Sequence, residues 1–414
     1  MKKIIIFIIL VLCTSCTQTI EHTPLVDLDT FTMVFATDIH YLNPSLVEQG
    51  EPFDNVIANG DGKVVHYSDQ LLDAFIDEMI ELRPDFLILT GDLTFNGEKE
   101  SHETIASKLE QIESNGVQIY VIPGNHDINN PRSRGYGTEE TYRTDSITTK
   151  QFQSIYKQYG YENGESIKDP KSLSYLIKLN DNNWMFMLDS NNNTKKHGNL
   201  SDISGSISTD TITWMESLIP EDTLPNIFVS MHHNQNVHSD MINEGFTIDN
   251  PSEFRKFINT YDVKALFSGH IHIQSIVENE YVTNSLSTAP NNYGLVTISP
   301  IEMKYQTHRL DFTMHDESNF QETSNQYFLD IAYNMIQKNL NDSELSGNDI
   351  HNVATVFSEL NQYYFAGRIV KNKDSFFESN GYKLVQEIGF FKNYLNAILD
   401  NTLDSNFSTI ELDH

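Results

Sequence analysis

Five short apolar runs divide the first two-thirds of the chain, and each stops at a polar residue. FTMVFAT leads to Asp38, DFLILTG to Asp92, VQIYVIPG to Asn125, NIFVSM to His232 and VKALFSG to His270. Uninterrupted apolar segments of about 4–8 residues have the length of buried strands. Between them the spacing turns helical. After Ser68, residues Leu71, Leu72, Phe75, Ile76, Met79 and Ile80 mark one buried face, and residues 103–112 and 209–218 repeat the pattern. Residues 173–179 and 184–188, separated by Asn180-Asp181-Asn182-Asn183, predict a hairpin. Residues 281–287, 294–299 and 304–312 predict the strands that complete the sheets. This alternation predicts an α/β fold in layers with polar residues gathered at the carboxyl ends of strands. Past the polar break at residues 315–318 the strand signals thin out, and residues 328–340, 349–366 and 382–399 show helical spacing. A small all-helical C-terminal domain over 315–414 is expected, following a catalytic unit over 31–314. Phe357, Leu360, Tyr363, Tyr364 and Phe365 read as a core stripe of that domain, and residues 404–414 as a frayed tail.

The residues at the strand ends are chemically alike. Asp38, His40, Asp92, Asn125, His232, His270 and His272 all bind hard or borderline cations. Two divalent ions about 3.5–4 Å apart need a shared carboxylate to screen their repulsion, and Asp92 is the candidate bridge. Imidazole with carboxylate suits Mn, Fe, Zn, Co or Ni, and affinity alone does not separate these metals. Mn, Fe and Zn are foremost. Gly91, Gly124 and Gly269 stand beside the ligands, where close backbone approach is needed. His232 and His233 compete for one position, because neighbours on a strand point to opposite faces. His66, His102, His197, His238 and His308 read as solvated or hydrogen-bonded imidazoles. His197 and residues 191–193, in a polar loop after the run WMFML, are secondary candidates for substrate contact.

The order Asp38-Ile39-His40, Gly91-Asp92, Gly124-Asn125-His126-Asp127, His232, Gly269-His270-Ile271-His272 resembles the calcineurin-like metallophosphoesterase family over about residues 31–312. Any one of these motifs is weak alone. Five in the family's order, each after a strand-like run, make a specific pattern. The resemblance implies a β-sandwich flanked by helices, with one metal on Asp38, His40, Asp92 and His272 and the other on Asp92, Asn125, His232 and His270. It also implies that His126 sits beside the metals without ligating them, giving a proton to the leaving oxygen or hydrogen-bonding a phosphoryl oxygen. A metal-bound hydroxide would attack phosphorus in line, since a bound divalent ion can lower the pKa of water to about 7. Asp127 is expected to orient His126, as carboxylates commonly do for functional imidazoles.

Phe95 stands three residues after Asp92, where the purple acid phosphatases of this family carry a tyrosine ligand. A phenyl ring cannot ligate iron, so the ferric chemistry of that branch is not expected. His40-Tyr41-Leu42, GDLTFNGEKESH over 91–102, GNHDINNP and MHHN instead resemble secreted lipoproteins assigned to class III cyclic-nucleotide phosphodiesterases. Asn234 and Gln235 depart from the proline many of those relatives carry soon after the histidine pair. The resemblance implies a small-molecule phosphodiester substrate, with 3′,5′-cyclic nucleotides leading. A phosphomonoesterase or nucleotidase, and a non-enzymatic metal-binding surface lipoprotein, are the competing readings.

The N-terminus adds a location. Lys2 and Lys3, an apolar run and CTSC predict a signal peptide over 1–15, too short to span a membrane as a stable helix. Thr14-Ser15-Cys16 resembles a bacterial lipobox, with Cys16 acylated and residues 16–30 forming a tether on the extracytoplasmic face of a membrane. Ordinary cleavage near Ser15 is the alternative. Only Cys13 and Cys16 are cysteines, so after acylation no disulfide can form. The formal charge of −31 disfavours binding to a nucleic-acid polymer. Attraction for an anionic substrate must then be local, from the metals and from Arg132 and Arg134, unless that loop is simply solvated.

Overall fold

The structure is a computed structural model that describes residues 25–26, 28–192, 203–239, 244–313 and 319–412. The expected signal segment 1–15, the expected acylation site Cys16, Asn193 and His197 lie outside the described residues.

Two mixed sheets pack face to face. The first has, in spatial order, the strands Phe407–Glu411, Glu302–Arg309, Asn292–Ile298, Phe31–Ala36, Phe86–Thr90 and Gln118–Ile122. The second orders Ser275–Val277, Glu280–Val282, Ala265–Ser268, Asn226–Met231, Asn183–Leu188, Tyr175–Lys178 and Ile167–Lys168. The three strands leading to Asp38, Asp92 and Asn125 run parallel to one another, as do those leading to His232 and His270. Uninterrupted apolar runs suit this burial on both faces. Phe35 on one sheet stacks on Phe267 of the other with ring centroids 3.9 Å apart, and Tyr305 meets Tyr281 at 5.0 Å. The helices Ser68–Leu82 and Lys99–Glu113 bury Leu72, Phe75, Met79, Ile105 and Leu109 in the same core. Thr209–Leu218 and Pro251–Thr260 form a second cluster against Phe186, with Phe257 6.1 Å and Trp214 5.8 Å from it.

The expected hairpin is present, with Tyr175 opposite Met187 and Lys178 opposite Trp184. Two expectations about strands need correction. Residues 283–287 do not extend the strand Glu280–Val282. Leu286 N–H donates to Thr37 O, and the hydroxyls of Ser285 and Ser287 donate to Asp38 O at 2.9 and 3.0 Å, so the segment is tied to the Asp38 loop instead of a ladder. Residues 404–414 do not form a frayed tail either. Phe407–Glu411 pairs antiparallel with Glu302–Arg309 and supplies an edge strand whose Ile410 packs on the core. Residues 25 and 26, within the segment expected to be a tether, are not free either. Leu25 and Val26 donate to the carbonyls of Lys178 and Leu179, and both side chains pack on the core.

From Phe320 to Asp400 the chain is helical, with Phe320–Leu340, Gly347–Phe365, Lys373–Glu378, Asn380–Val385 and Gly389–Asp400, but the region expected to be all-helical also contributes the strand Phe407–Glu411 to the first sheet. The single helix expected over 382–399 is two, separated before Gly389. The aromatic stripe is core as expected, with Phe357 stacked against Tyr394 at 5.3 Å and edge-on to Phe391 at 5.5 Å. Phe320 buries itself against Phe312 and Tyr67 of the sheet unit. Among the described residues no helix is long and apolar enough to cross a membrane.

Candidate metal centre

The seven expected ligands meet where the carboxyl ends of the two sheets face each other. His40 Nε2 lies 3.2 Å from His272 Nε2 and 3.7 Å from Asp38 Oδ1, which is itself 3.2 Å from His272 Nε2. On the other side, His232 Nε2 is 3.4 Å from Asp92 Oδ2 and 3.2 Å from Asn125 Oδ1. Asp92, His232 and His270 form one compact donor group and Asp38, His40 and His272 another, while Asp92 also falls together with His40 and His126. Asp92 therefore stands between the groups, as a bridging carboxylate must.

The backbone brings these donors inward at a cost. Asp38, His40, Asp92, His270 and His272, five of the seven, adopt positive φ between 48° and 70°. Non-glycine residues held there are strained by roughly 1–3 kcal/mol each, which persists only where surrounding structure enforces it. Here Asp38 N–H donates to Gly91 O, His40 N–H to Asp92 O, and His270 N–H to Asp38 Oδ2 at 2.9 Å. The glycines matter through space: a Cβ on Gly269 would come within 2.6 Å of Asp38 Oδ2, and one on Gly124 within 2.8 Å of Asp92 Cγ.

Hydrogen bonds fix the imidazole tautomers. His232 Nδ1–H donates to Thr90 O at 2.9 Å, leaving Nε2 to the cluster, and His270 Nε2–H donates to Ile203 O at 3.0 Å, leaving Nδ1. Such outward bonds orient ligating imidazoles. His40 is the exception, its Nδ1 buried without a hydrogen-bond partner. Burial pushes His40 and His270 down to about 3, so both rings are neutral and able to ligate. Desolvation pushes Asp38 and Asp92 up, but the imidazoles of His272 and His232 respectively overcome it and hold the carboxyls well below the usual range. Burial also lowers His232, but Asp92 and Asp38 raise it to about 9. Two buried carboxylates that draw a proton onto a neighbouring imidazole form a site for positive charge. Asp38 Oδ1 and Asn125 Nδ2 are buried with no hydrogen-bond partner. The donor set fits two divalent metals and does not select among Mn, Fe and Zn.

His126 is beside the cluster, with Nε2 3.9 Å from Asp92 Oδ2. Its backbone N–H donates to Asp92 Oδ1 at 2.7 Å and its Nδ1–H to Phe95 O at 2.6 Å. The expectation that Asp127 orients His126 is therefore incorrect. The Asp127 carboxylate accepts from Leu93 N, Thr94 N, Thr94 Oγ1 and Gly124 N, at 2.8–3.2 Å, and so holds the two ligand loops together. Burial raises Asp127 to about 7, with Asp92 adding to the rise.

His233 has its Nδ1 2.8 Å from Ser190 Oγ and packs its ring 4.5 Å from that of His270 without joining the donor groups, and His232 is the residue of the pair that meets the cluster. His102 is hydrogen-bonded to Tyr156 and Asp127 O, His238 to Ser275, and His308 stacks on Tyr293. Asn191 supports the ligand loop, donating to Pro123 O at 2.9 Å, while Asn192 bonds Ser204. Arg132 is exposed, as the solvated-loop reading expects, whereas Arg134 is half-buried at the start of the short strand Arg134–Tyr136 and donates through Nε to Arg132 O. The local cation is instead Lys63, which sequence reasoning missed. Its side chain is 8% exposed and paired with Asp61 at 2.7 Å; burial holds His126 and His40 below the ordinary imidazole value, and the Lys63 charge adds to that lowering. Only the turn-like Asp61-Gly62-Lys63 marks it in the sequence.

A two-sheet α/β sandwich with two carboxylates, an amide and four imidazoles at its strand ends defines a dinuclear phosphoesterase scaffold. The family model described as calcineurin-like phosphoesterase matches residues 31–274, more than half of the 414 residues, and the chain belongs to that family. A second model, described as the C-terminal domain of cyclic nucleotide phosphodiesterase, matches residues 312–404. The chain is 26% identical over 205 residues to a 3′,5′-cyclic-nucleotide phosphodiesterase of Nostoc, covering 48% of this chain and 60% of that protein. It is 25% identical over 240 residues to a probable cyclic nucleotide phosphodiesterase of Psychrobacter, covering 58% of each. It is 31% identical over 116 residues to the DNA double-strand break repair protein Mre11 of Methanococcus maripaludis, covering 25% of this chain and 31% of that one. The matches thus span at most three-fifths of these relatives' lengths.

Proposed function

We propose that the protein hydrolyses small phosphodiesters with two divalent metals, and that 3′,5′-cyclic nucleotides are its substrates. The observation that carries this reading is the setting of His126. Its Nδ1–H is engaged by Phe95 O, so a proton the ring can give to a leaving oxygen sits on Nε2, which lies 3.9 Å from Asp92 Oδ2 at the edge of the cluster. A purely structural metal site has no need of such a group. When bound, the cations supply Lewis acidity and a water acidic enough to attack phosphorus near neutral pH. Asp38 and Asp92 provide the negative charge that holds them, the Asn125 amide and the four imidazoles complete the set, with His232 giving up its proton to ligate, and Lys63 adds positive charge for an anionic diester. The names of the Nostoc and Psychrobacter relatives and the C-terminal match support cyclic nucleotides.

The test is turnover of cyclic nucleotides, linear diesters and monoesters by the metal-loaded protein. Cyclic nucleotides should lead. Rapid monoester hydrolysis with cyclic nucleotides untouched would replace this reading with a phosphatase. We further propose that Cys16 is acylated and tethers the protein to the outer side of a membrane, supported by the apolar run and the small residues preceding it. Mass spectrometry of the mature N-terminus should find lipid on Cys16; an unmodified Cys16 would overturn the anchor.

A further inference from the structure

A cavity of about 600 Å³ opens between the end of the helix Glu51–Ala58 and the C-terminal helices. Its walls combine aromatic rings, among them Phe328, Phe365 and Tyr394, with side-chain amides, among them Asn334 and Asn339. Aromatic faces with a few placed amides suit a flat heterocycle with polar edges, and the volume is that of a small-molecule site. One wall belongs to the region near the metals. Asp61 lines the cavity, is 61% exposed, and pairs at 2.7 Å with Lys63. Lys63, two residues on, is buried on the metal side, and its strand bridge to Thr288 and the bond from Val64 N to Ser287 O tie it to the segment that holds Asp38 O. Between them Gly62, at φ 95°, lies under the Phe328 ring, where a Cβ would come within 2.8 Å of it. Three residues of chain reach at most about 10 Å, the scale of a nucleotide.

We infer that this cavity is the nucleoside subsite of the enzyme: the base lies among the C-terminal aromatic rings and amides while the phosphodiester sits at the metals, with the Asp61-Gly62-Lys63 turn between them. This rests on the cyclic-nucleotide reading above. It gives the helical C-terminal region a task, since that region brings no donor to the metal cluster and yet supplies most of the cavity wall. It also places substrate selection on side chains remote from the ligand motifs.

Met335 lines the cavity and is 45% exposed, so Met335→Trp fills the space without touching the core. The full-length protein and this variant would be compared on 3′,5′-cyclic AMP and on methyl 4-nitrophenyl phosphate, a diester with no nucleoside. The ratio of kcat/KM for the cyclic nucleotide to that for the small diester should fall at least about tenfold, the loss of roughly 1.4 kcal/mol of selective binding, mainly through KM. A ratio within twofold of wild type in a variant of unchanged Tm would overturn the inference. Calorimetry on the metal-loaded protein with adenosine alone, a ligand with no phosphodiester to cleave, separates the two proposals. If wild type cleaves the small diester but no cyclic nucleotide, the substrate reading fails. Adenosine binding that Met335→Trp abolishes would then still support the cavity, and absence of binding would overturn it.

Discussion

Replacing His126 by alanine isolates the proton donor from the metal site. The backbone N–H that holds Asp92 Oδ1 at 2.7 Å survives the substitution, so the bridging carboxylate keeps its orientation and the metals stay. What disappears is the ring, and with it the Nδ1 bond to Phe95 O. His126 is 19% exposed, so water can reach that carbonyl and the stability loss should sit at the low end of the about 1–3 kcal/mol for an abandoned partner. The catalytic loss is larger. General acid catalysis is worth about 10²–10⁴-fold, or about 2.7–5.4 kcal/mol of barrier at 1.36 kcal/mol per decade. The loss should follow the leaving group. Expulsion of a ribose oxygen needs the proton and should suffer in full, whereas 4-nitrophenolate leaves without one and should lose less than tenfold. The assay is kcat for 3′,5′-cyclic AMP and for bis(4-nitrophenyl) phosphate with both proteins, alongside elemental analysis. Equal losses on the two substrates, or a fall in metal content, would refute the reasoning.

Asp92→Ala removes the carboxylate shared by both donor groups and should lose both metals and activity; full retention of two metals by elemental analysis would contradict the bridge. Gly124→Ala places a Cβ against the Asp92 carboxylate and should lower metal content while leaving the circular dichroism spectrum intact. Glu98 gives a pH signature: burial raises it to about 8 from 4.5, against the Asn96 N–H bond that lowers it. The native state then binds more protons than the unfolded one between about pH 4.5 and 8, so stability falls across that window as pH rises. Glu98→Gln should raise Tm most above pH 8 and not at all near pH 4, and a pH-independent difference would count against it. Truncation after Asp404 exposes the ladder of the strand Glu302–Arg309 and should lower Tm by several degrees, with no change expected had the tail been frayed.

The residues that converge at the strand ends were legible because strand burial writes itself as apolar runs, and the residue after each run is where a parallel strand delivers chemistry. The hairpin at Asn180 and the core stripe around Phe357 were legible for the same reason, since period and punctuation are local properties. What the sequence could not supply were relations between distant segments. His126 is oriented by a backbone carbonyl, Phe95 O, and carbonyls carry no side-chain signature, so the adjacent Asp127 was the natural but incorrect choice. Residues 283–287 have strand-like composition, yet two serine hydroxyls bond Asp38 O, a partner nearly 250 positions away. The five residues from Phe407 to Glu411 were too few to announce a strand until an unpaired edge of the sheet offered them a ladder. Lys63 is an ordinary lysine until tertiary packing buries it beside His40 and His126. Sequence determined which groups this protein brings to its chemistry, because donor identity is a property of residues; only the tertiary structure decided how they are oriented and charged, because tautomer, strain and pKa depend on neighbours that chain order does not contain.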